Sequence, residues 1–476
     1  MKPRDRQPVR GRKSARQGLK PGESAGFSAR LKSCPDTKQQ TISGEIAQAR
    51  PIGTRKTVQI EKPVYGGSFL ARIEGKAVFV PLALSGEQAR IRIVEEKRGY
   101  ASAEIEEIVS AAPGRTAPAC RHFGACGGCN YQQADYAVQL AFKQVILRET
   151  LERAGVRAPD EIAVLAAEPW AYRNRIRLAF DAQGNPGYRS RRSHAIVPIA
   201  ECPIAAPLLV RAALTAADLA RELTPSLGPT GLSLFCDADE SAFLASVFTS
   251  SAVRIGFDQF AQALHKRIPE LTGAELILET HANERPRTLA RWGATSLTYR
   301  AAGFDYRVDQ SAFFQVNRRL IDALVERVTA GRSGALAWDL FAGVGLFARR
   351  LAAKFARVIA VESAPAATAA LAHNLTGTNA TAVTADALAF LRRSANYARP
   401  DLIVVDPPRT GLGPPIAEQL ARIAVPTLVY VSCDPATLAR DLRALTASGY
   451  AIHSVTLADL FPQTFHLETV VELLKS

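Results

Sequence analysis

The chain has 476 residues, 47% of them hydrophobic, seven cysteines and a formal net charge of +14. That length exceeds one hydrophobic core and implies about three domains, and no apolar run approaches the ~18 residues of a membrane span. An odd cysteine count spread along the chain, with no apolar segment behind the N-terminal charges, argues against a secreted disulfide framework and for a reducing cytoplasm.

Residues 1–56 hold 14 Lys or Arg against 4 Asp or Glu, so most of the net charge lies there. With few large apolar side chains this segment cannot bury enough surface to fold alone, and it is expected to be disordered. A solubilising extension, a phosphate-attracting tail and an Arg-rich transit peptide all fit its composition. From residue 57 to 112 the pattern changes to short strands. Val58 and Ile60, the Gly66-Gly67 pair, Ala77 to Leu82, the Gly86-Glu87 turn and Ala89 to Val94 predict a small β-barrel, followed by a linker at Ala111-Ala112-Pro113-Gly114.

Residues 113–305 open with Cys120, Cys126 and Cys129, and the next cysteine is Cys202 in Glu201-Cys202-Pro203. The Cys126-Gly127-Gly128-Cys129 step lets both sulfurs turn toward one centre, and four thiolates satisfy either zinc or an iron-sulfur cluster. Spacing leaves both open; the wide gap before Cys202 and the Pro after it lean toward iron-sulfur. Cys236 reads as a core thiol. Tyr131 to Ala154 predicts a helix with Val138, Phe142 and Val145 on one side and Leu140, Leu147 and Leu151 on the other, hence sandwiched. Tyr172 to Arg177 and Tyr188 to His194 concentrate cations beside aromatic residues, which suits phosphate contact and base stacking as well as a solvated strand face.

Residues 306–476 alternate strands and helices, the pattern of a doubly wound parallel sheet. Ala335 to Phe341 runs into the tight turn Ala342-Gly343-Val344-Gly345. Later strands end at Glu362, 19 positions after Gly343, at Asp386 and at Asp406, with Asp339 at the first. Carboxylates at successive strand ends would repel a pyrophosphate. They suit a cofactor with ribose hydroxyls, an amine and a sulfonium, which is S-adenosyl-L-methionine. The apolar run Thr427 to Val431 stops at Ser432-Cys433-Asp434-Pro435, where Asp434 reads as N-cap and Pro435 as the first helical residue. A thiol at such a helix N-terminus is expected to have a lowered pKa, which makes Cys433 the candidate nucleophile.

Five stretches resemble the RNA 5-methyluridine methyltransferases: Asp309-Gln310-Ser311-Ala312-Phe313-Phe314-Gln315-Val316-Asn317, Asp339-Leu340-Phe341-Ala342-Gly343-Val344-Gly345, Asp406-Pro407-Pro408-Arg409, Val431 to Asp441, and His466-Leu467-Glu468. The likeness covers roughly residues 57–476, and its barrel portion resembles the RNA-binding TRAM module. The barrel and the four cysteines together resemble the branch acting on 23S ribosomal RNA; the bacterial transfer-RNA enzymes lack both. The resemblance implies a multidomain α/β protein: a TRAM barrel, an α+β central domain with the cysteine cluster, and a Rossmann-like class I methyltransferase domain. It implies a 4Fe-4S cluster on Cys120, Cys126, Cys129 and Cys202. It also implies S-adenosyl-L-methionine contacts from Gln315, Phe341, Gly343, Glu362 and Asp386, with Asp406 at the reaction centre.

The chemistry follows from residue types. Carbon 5 of uracil is a poor nucleophile, and thiolate addition to carbon 6 turns it into an enolate carbon; Cys433 supplies the thiolate. The carbon 5 proton must then leave, and Glu468 is the expected base. Asp406 would orient the uracil or the methyl donor. The uridine must be flipped out, with Phe313 or Phe314 filling the space it vacates. RNA is the expected partner, ribosomal RNA ahead of transfer RNA, and the protein is expected to act as a cytoplasmic monomer. An amino-group methyltransferase, a flavin or nicotinamide redox protein and a non-catalytic RNA-binding protein are the alternatives.

Overall fold

The computed structural model describes residues 52–223, 227–279, 286–394 and 397–475, so nearly all of the basic segment 1–56 lies outside the described residues. Strict alternation builds the barrel. Val58, Ile60, Val78, Val80, Ile91 and Ile93 point inward between exposed or half-exposed neighbours, the period-two pattern of a strand with one dry face. Arg55–Val64, Ser68–Ile73, Lys76–Pro81, Tyr100–Ser110 and Gln88–Glu96 close in that order, which leaves no open edge. Gly67 takes a φ of 85°, and a Cβ there would stand 3.1 Å from the Asn130 side chain, so this turn also seats the barrel on the cysteine-bearing segment. The Gly86-Glu87 turn has a second role: the buried Glu87 carboxylate accepts hydrogen bonds from Leu84 N at 2.7 Å and Arg115 Nη2 at 2.8 Å, fastening the linker under the barrel.

The predicted sandwiched helix runs Tyr136–Arg153. Phe142 packs edge-on to Phe69 of the barrel, ring centroids 5.0 Å apart, while Ile146, Leu147 and Leu151 enter the core that holds Trp338 and Leu438. Val145, read as facing inward, is exposed. All described residues belong to one compact unit, Glu45–Glu279 with Pro286–Ser476. Its middle third contains a seven-stranded sheet in the order Arg287–Gly293, Leu271–Leu278, Phe243–Thr249, Pro229–Cys236, Arg175–Phe180, Pro186–Arg189, Ile196–Pro198. The helices Pro207–Leu223 and Phe257–Arg267 cover it, and Cys236 is buried there as expected.

The last third is an eight-stranded sheet ordered Ala380–Thr384, Phe355–Glu362, Gly334–Leu340, Leu402–Val405, Thr427–Ser432, Glu468–Lys475, Tyr450–Ala458, Ala163–Leu165. The first five strands are parallel. Leu402–Val405 and Leu428 to Ser432 are buried throughout, as a sheet covered on both faces requires. The sequence pattern extended the parallel sheet to the end of the chain; instead Glu468–Lys475 and Tyr450–Ala458 pair antiparallel. The short connection 459–467 has no crossover helix and can only return the chain antiparallel. Ala163–Leu165, from the central third, completes the far edge. The hairpin Ser296–Ala301 and Phe304–Asp309 buries Leu297, Tyr299, Tyr306 and Val308 in the core that contains Val404.

Candidate active site

The parallel strands end on one side of the sheet, where ligands bind in doubly wound folds. Gly334–Leu340 leads into Phe341, held at a φ of 63°, then Gly343 at 55° and Gly345 at 91°, which starts the helix Leu346–Leu351. A positive φ is uncommon for a bulky aromatic residue and marks a turn fixed by its surroundings. No atom lies within 4 Å of where a Gly343 Cβ would project, so a ligand can approach the backbone there. Glu362 braces the turn, accepting from Gly343 N at 2.9 Å and from Ser363 N and Ala364 N at 2.7 Å each. Asp386 is exposed and caps the helix Ala387–Arg392 by accepting from Ala389 N at 3.1 Å. Asp339 Oδ2 accepts from Ala348 N at 2.9 Å, and its Oδ1 is buried with no partner. Gln315 is buried, its carbonyl held by Asn174 Nδ2 at 3.0 Å.

Cys433 follows the strand Thr427–Ser432 and precedes the helix Pro435–Ala447, whose N-cap Asp434 accepts from Ala436 N at 3.1 Å and Thr437 N at 2.9 Å. Antiparallel register pairs Ser432 with Thr469, which sets Glu468 beside the thiol. Asp406 ends the neighbouring strand Leu402–Val405. Burial lifts the Asp406 carboxyl to about 7. Burial, then Asp406, pushes Glu468 well above the usual carboxylate range against the pull of Arg409. Asp339 rises to about 8 through burial, with Asp406 and Glu362 adding like charge.

The expected lowering of the Cys433 pKa is corrected by this field. Burial and the charges of Glu468, Asp406 and Asp434 raise the thiol to about 12, against the pull of Arg409. A cluster of desolvated acids with an orphan oxygen, beside an open glycine turn, fits a cationic guest with hydrogen-bonding ribose hydroxyls.

Three neighbours were given no role from the sequence, although Arg409 and His466 stand in two of the motifs that carry the resemblance. Tyr65, from the barrel, donates to Asp434 Oδ2 at 3.4 Å and stands edge-on to Phe465 at 5.6 Å. Arg409 reaches His466 Nδ1 at 3.4 Å. Burial, then Arg409, Arg173 and Lys143, hold His466 down to about 3, so it is neutral. Of the aromatic pair, Phe314 is core, packed on Tyr299 at 4.6 Å, whereas Phe313 is 67% exposed.

Cys120, Cys126, Cys129 and Cys202 are all free and half-exposed, and the charge on Cys202 is felt by each of the other three. Among the described residues, no three His, Cys, Asp or Glu side chains converge on a single metal ion. The cysteine loop docks on the basic loop: Gly127 N donates to Arg189 O at 3.0 Å, Arg191 N to Ala125 O at 3.2 Å, and Cys126 bridges Ser190. In the other basic stretch Arg177 is exposed and paired with Glu279 at 2.8 Å. Arg175 lies over the Phe235 ring at 4.2 Å with Nε and Nη2 buried and unpartnered.

Fold and site together are those of a Rossmann-like methyltransferase joined to an N-terminal barrel. The tRNA (Uracil-5-)-methyltransferase family model matches residues 294–476 and the TRAM domain model residues 49–105. An uncharacterized RNA methyltransferase of Nitratidesulfovibrio vulgaris is 32% identical, covering 88% of this chain and 96% of that protein. The 23S rRNA (uracil(1939)-C(5))-methyltransferase RlmD of Halomonas elongata is 32% identical over 88% of this chain and 89% of its own. The crystal structure of Pyrococcus abyssi tRNA (uracil-54, C5)-methyltransferase in complex with S-adenosyl-L-homocysteine superposes with a TM-score of 0.70 at 23% identity, over 88% of this chain and all of that one. The chain belongs to the RNA (uracil-5-)-methyltransferase family, and S-adenosyl-L-methionine is its methyl donor. None of the described helices is long and apolar enough to cross a membrane.

Proposed function

We propose that the chain methylates carbon 5 of a uridine in 23S ribosomal RNA, with Cys433 as nucleophile and Glu468 as base. The observation that carries this reading is the placement of the Cys433 thiol and the buried Glu468 carboxylate at adjacent strand ends, next to Asp406. Cys433 gives its proton up to water and its sulfur bonds to carbon 6, moving the ring's double-bond electrons toward carbon 5. S-adenosyl-L-methionine, when bound, supplies an electrophilic methyl. Gln315, Phe341, Gly343, Glu362 and Asp386 surround the donor, and Asp406 orients the uracil or the donor. Glu468 then takes the carbon 5 proton, the double bond re-forms and Cys433 is expelled with its electron pair. The exposed Phe313 fills the space of the flipped base.

Ribosomal RNA is favoured over transfer RNA by near full-length similarity to 23S enzymes. The basic loop Tyr188 to His194 offers phosphate contacts. We read the protein as a cytoplasmic monomer. Unmodified 23S ribosomal RNA and transfer RNA transcripts, each incubated with enzyme and donor and digested to nucleosides, test the substrate. 5-Methyluridine from the ribosomal transcript alone is expected; its appearance from transfer RNA alone would reverse the assignment.

Cys120, Cys126, Cys129 and Cys202 would hold a 4Fe-4S cluster, which supplies a compact anionic anchor when bound. The electrostatic influence of Cys202 on each of the other three thiols supports reading the four as one donor set. Through the docked loop the cluster would hold the basic residues Arg189 to Arg192 in place. Anaerobically purified protein should carry about four iron per chain, and Cys202→Ser should lose them. Full iron retention in that variant would exclude Cys202 as a ligand.

A further inference from the structure

The connection 459–467 carries the chain into Glu468, and the middle of the molecule grips it. Asn317 Nδ2 donates to the carbonyls of Asp459 at 3.4 Å and Leu460 at 3.2 Å. Lys143 Nζ reaches the Phe461 carbonyl at 2.9 Å, and the Tyr172 hydroxyl donates to that of Pro462 at 3.0 Å. Asn130 N and Tyr131 N both donate to the Gln463 carbonyl, at 2.9 and 3.1 Å. Five consecutive carbonyls are therefore satisfied by donors from outside the catalytic sheet's last strands.

Two side-chain locks reinforce the grip. Lys143, with its side chain fully buried, pairs with the equally buried Asp459 at 2.6 Å, and Tyr136 donates to the other Asp459 oxygen at 2.9 Å. The Gln139 and Gln463 amides exchange bonds, Nε2 to Oε1 at 2.9 Å and Gln463 N to Gln139 Oε1 at 3.0 Å. Gln463 is held at a φ of 67°, a geometry this clamp fixes. A buried ion pair is a weak source of stability, because desolvation offsets its attraction. A full pair together with five carbonyls bonded from outside points instead to registry: the chain must enter Glu468 along one path.

We propose that Lys143, with Gln139, is a positioning residue for Glu468, acting through the 459–467 connection on proton removal from carbon 5. The inference rests on Glu468 being the base. Helix Tyr136–Arg153 thereby sets the geometry of the second half-reaction, while Cys433, on its own strand, performs the first.

The test uses the full chain with Lys143→Met/Asp459→Asn, which removes both buried charges together and so leaves neither unpaired, and independently with Gln139→Leu. Trapping by 5-fluorouridine RNA reads the addition step; covalent complex on ordinary RNA and multiple-turnover rate read proton removal. The expected result is trapping at the parent rate, a stalled methylated complex on ordinary RNA, and turnover slowed about tenfold to a hundredfold. Folded variants with parent turnover and no stalled complex would overturn the proposal, as would a parallel fall in trapping and turnover. Glu468→Gln is the control. If it too stalls no complex, the assignment of the base fails; if it stalls and the clamp variants do not, the positioning role alone fails.

Discussion

Cys433→Ala eliminates methyl transfer and gives no covalent complex with RNA carrying 5-fluorouridine. The expected loss is about 10⁴-fold or more, since removal of a nucleophile leaves only binding and orientation. A denaturing gel of labelled RNA reads the complex, and donor-derived label in RNA reads transfer. Residual transfer above about one hundredth of the parent rate would remove the thiol from the mechanism. The same residue sets the pH dependence. Its thiol lies near 12 because of burial and the surrounding carboxylates, so only a small fraction is ionised at neutral pH. Complex formation requires proton loss and should therefore rise with pH between 6 and 8, by less than tenfold per unit because Asp406, near 7, gains its charge in the same interval and holds the thiol up. A flat profile over that range would mean that the thiolate is already formed when RNA binds.

Glu468→Gln separates the two halves of the reaction. The amide keeps the shape of the side chain and cannot accept the carbon 5 proton, so addition and methyl transfer proceed once and the adduct persists. Turnover should fall about 10²- to 10⁴-fold. Ordinary uridine RNA, which should leave no complex with the parent after denaturation, is expected to remain bound to the variant and carry the donor's label. Loss of turnover without a stalled complex would assign Glu468 to an earlier step, and unchanged turnover would exclude it as the base. The environment of Glu468 supports the role: burial and Asp406 raise its proton affinity well above that of a free carboxylate, which strengthens it as a proton acceptor.

The catalytic third was the most legible part of the sequence because its signals are local. A strand followed by two glycines, strand-terminal acids, and an Asp-Pro step before a helix each report their own few residues. The helix Pro435–Ala447 is capped by Asp434 as that step predicts. The antiparallel return of Glu468–Lys475 was not legible, because strand direction depends on how a nine-residue connection, 459–467, crosses the sheet end. The sign of the Cys433 shift was misjudged for a related reason. The helix N-terminus is visible in sequence, whereas Glu468 and Asp406 lie 35 and 27 positions away and meet the thiol only in the folded sheet. Lys143 was hidden differently: its position in a helix apolar on both sides gave no hint that a cation there is fully enclosed against Asp459.

The Tyr65 contact bears on how far such enzymes can be pared down. An appended RNA-binding barrel is usually pictured as a module that can be cut away at its linker, leaving a weaker but complete catalyst. Here the barrel's hairpin reaches the proposed active site, its phenol on Asp434 and its ring against Phe465. A chain shortened at Ala112 would therefore lose these contacts beside Cys433 as well as the barrel. Family members that dispense with the barrel must fill the space beside the nucleophile from some other part of the chain.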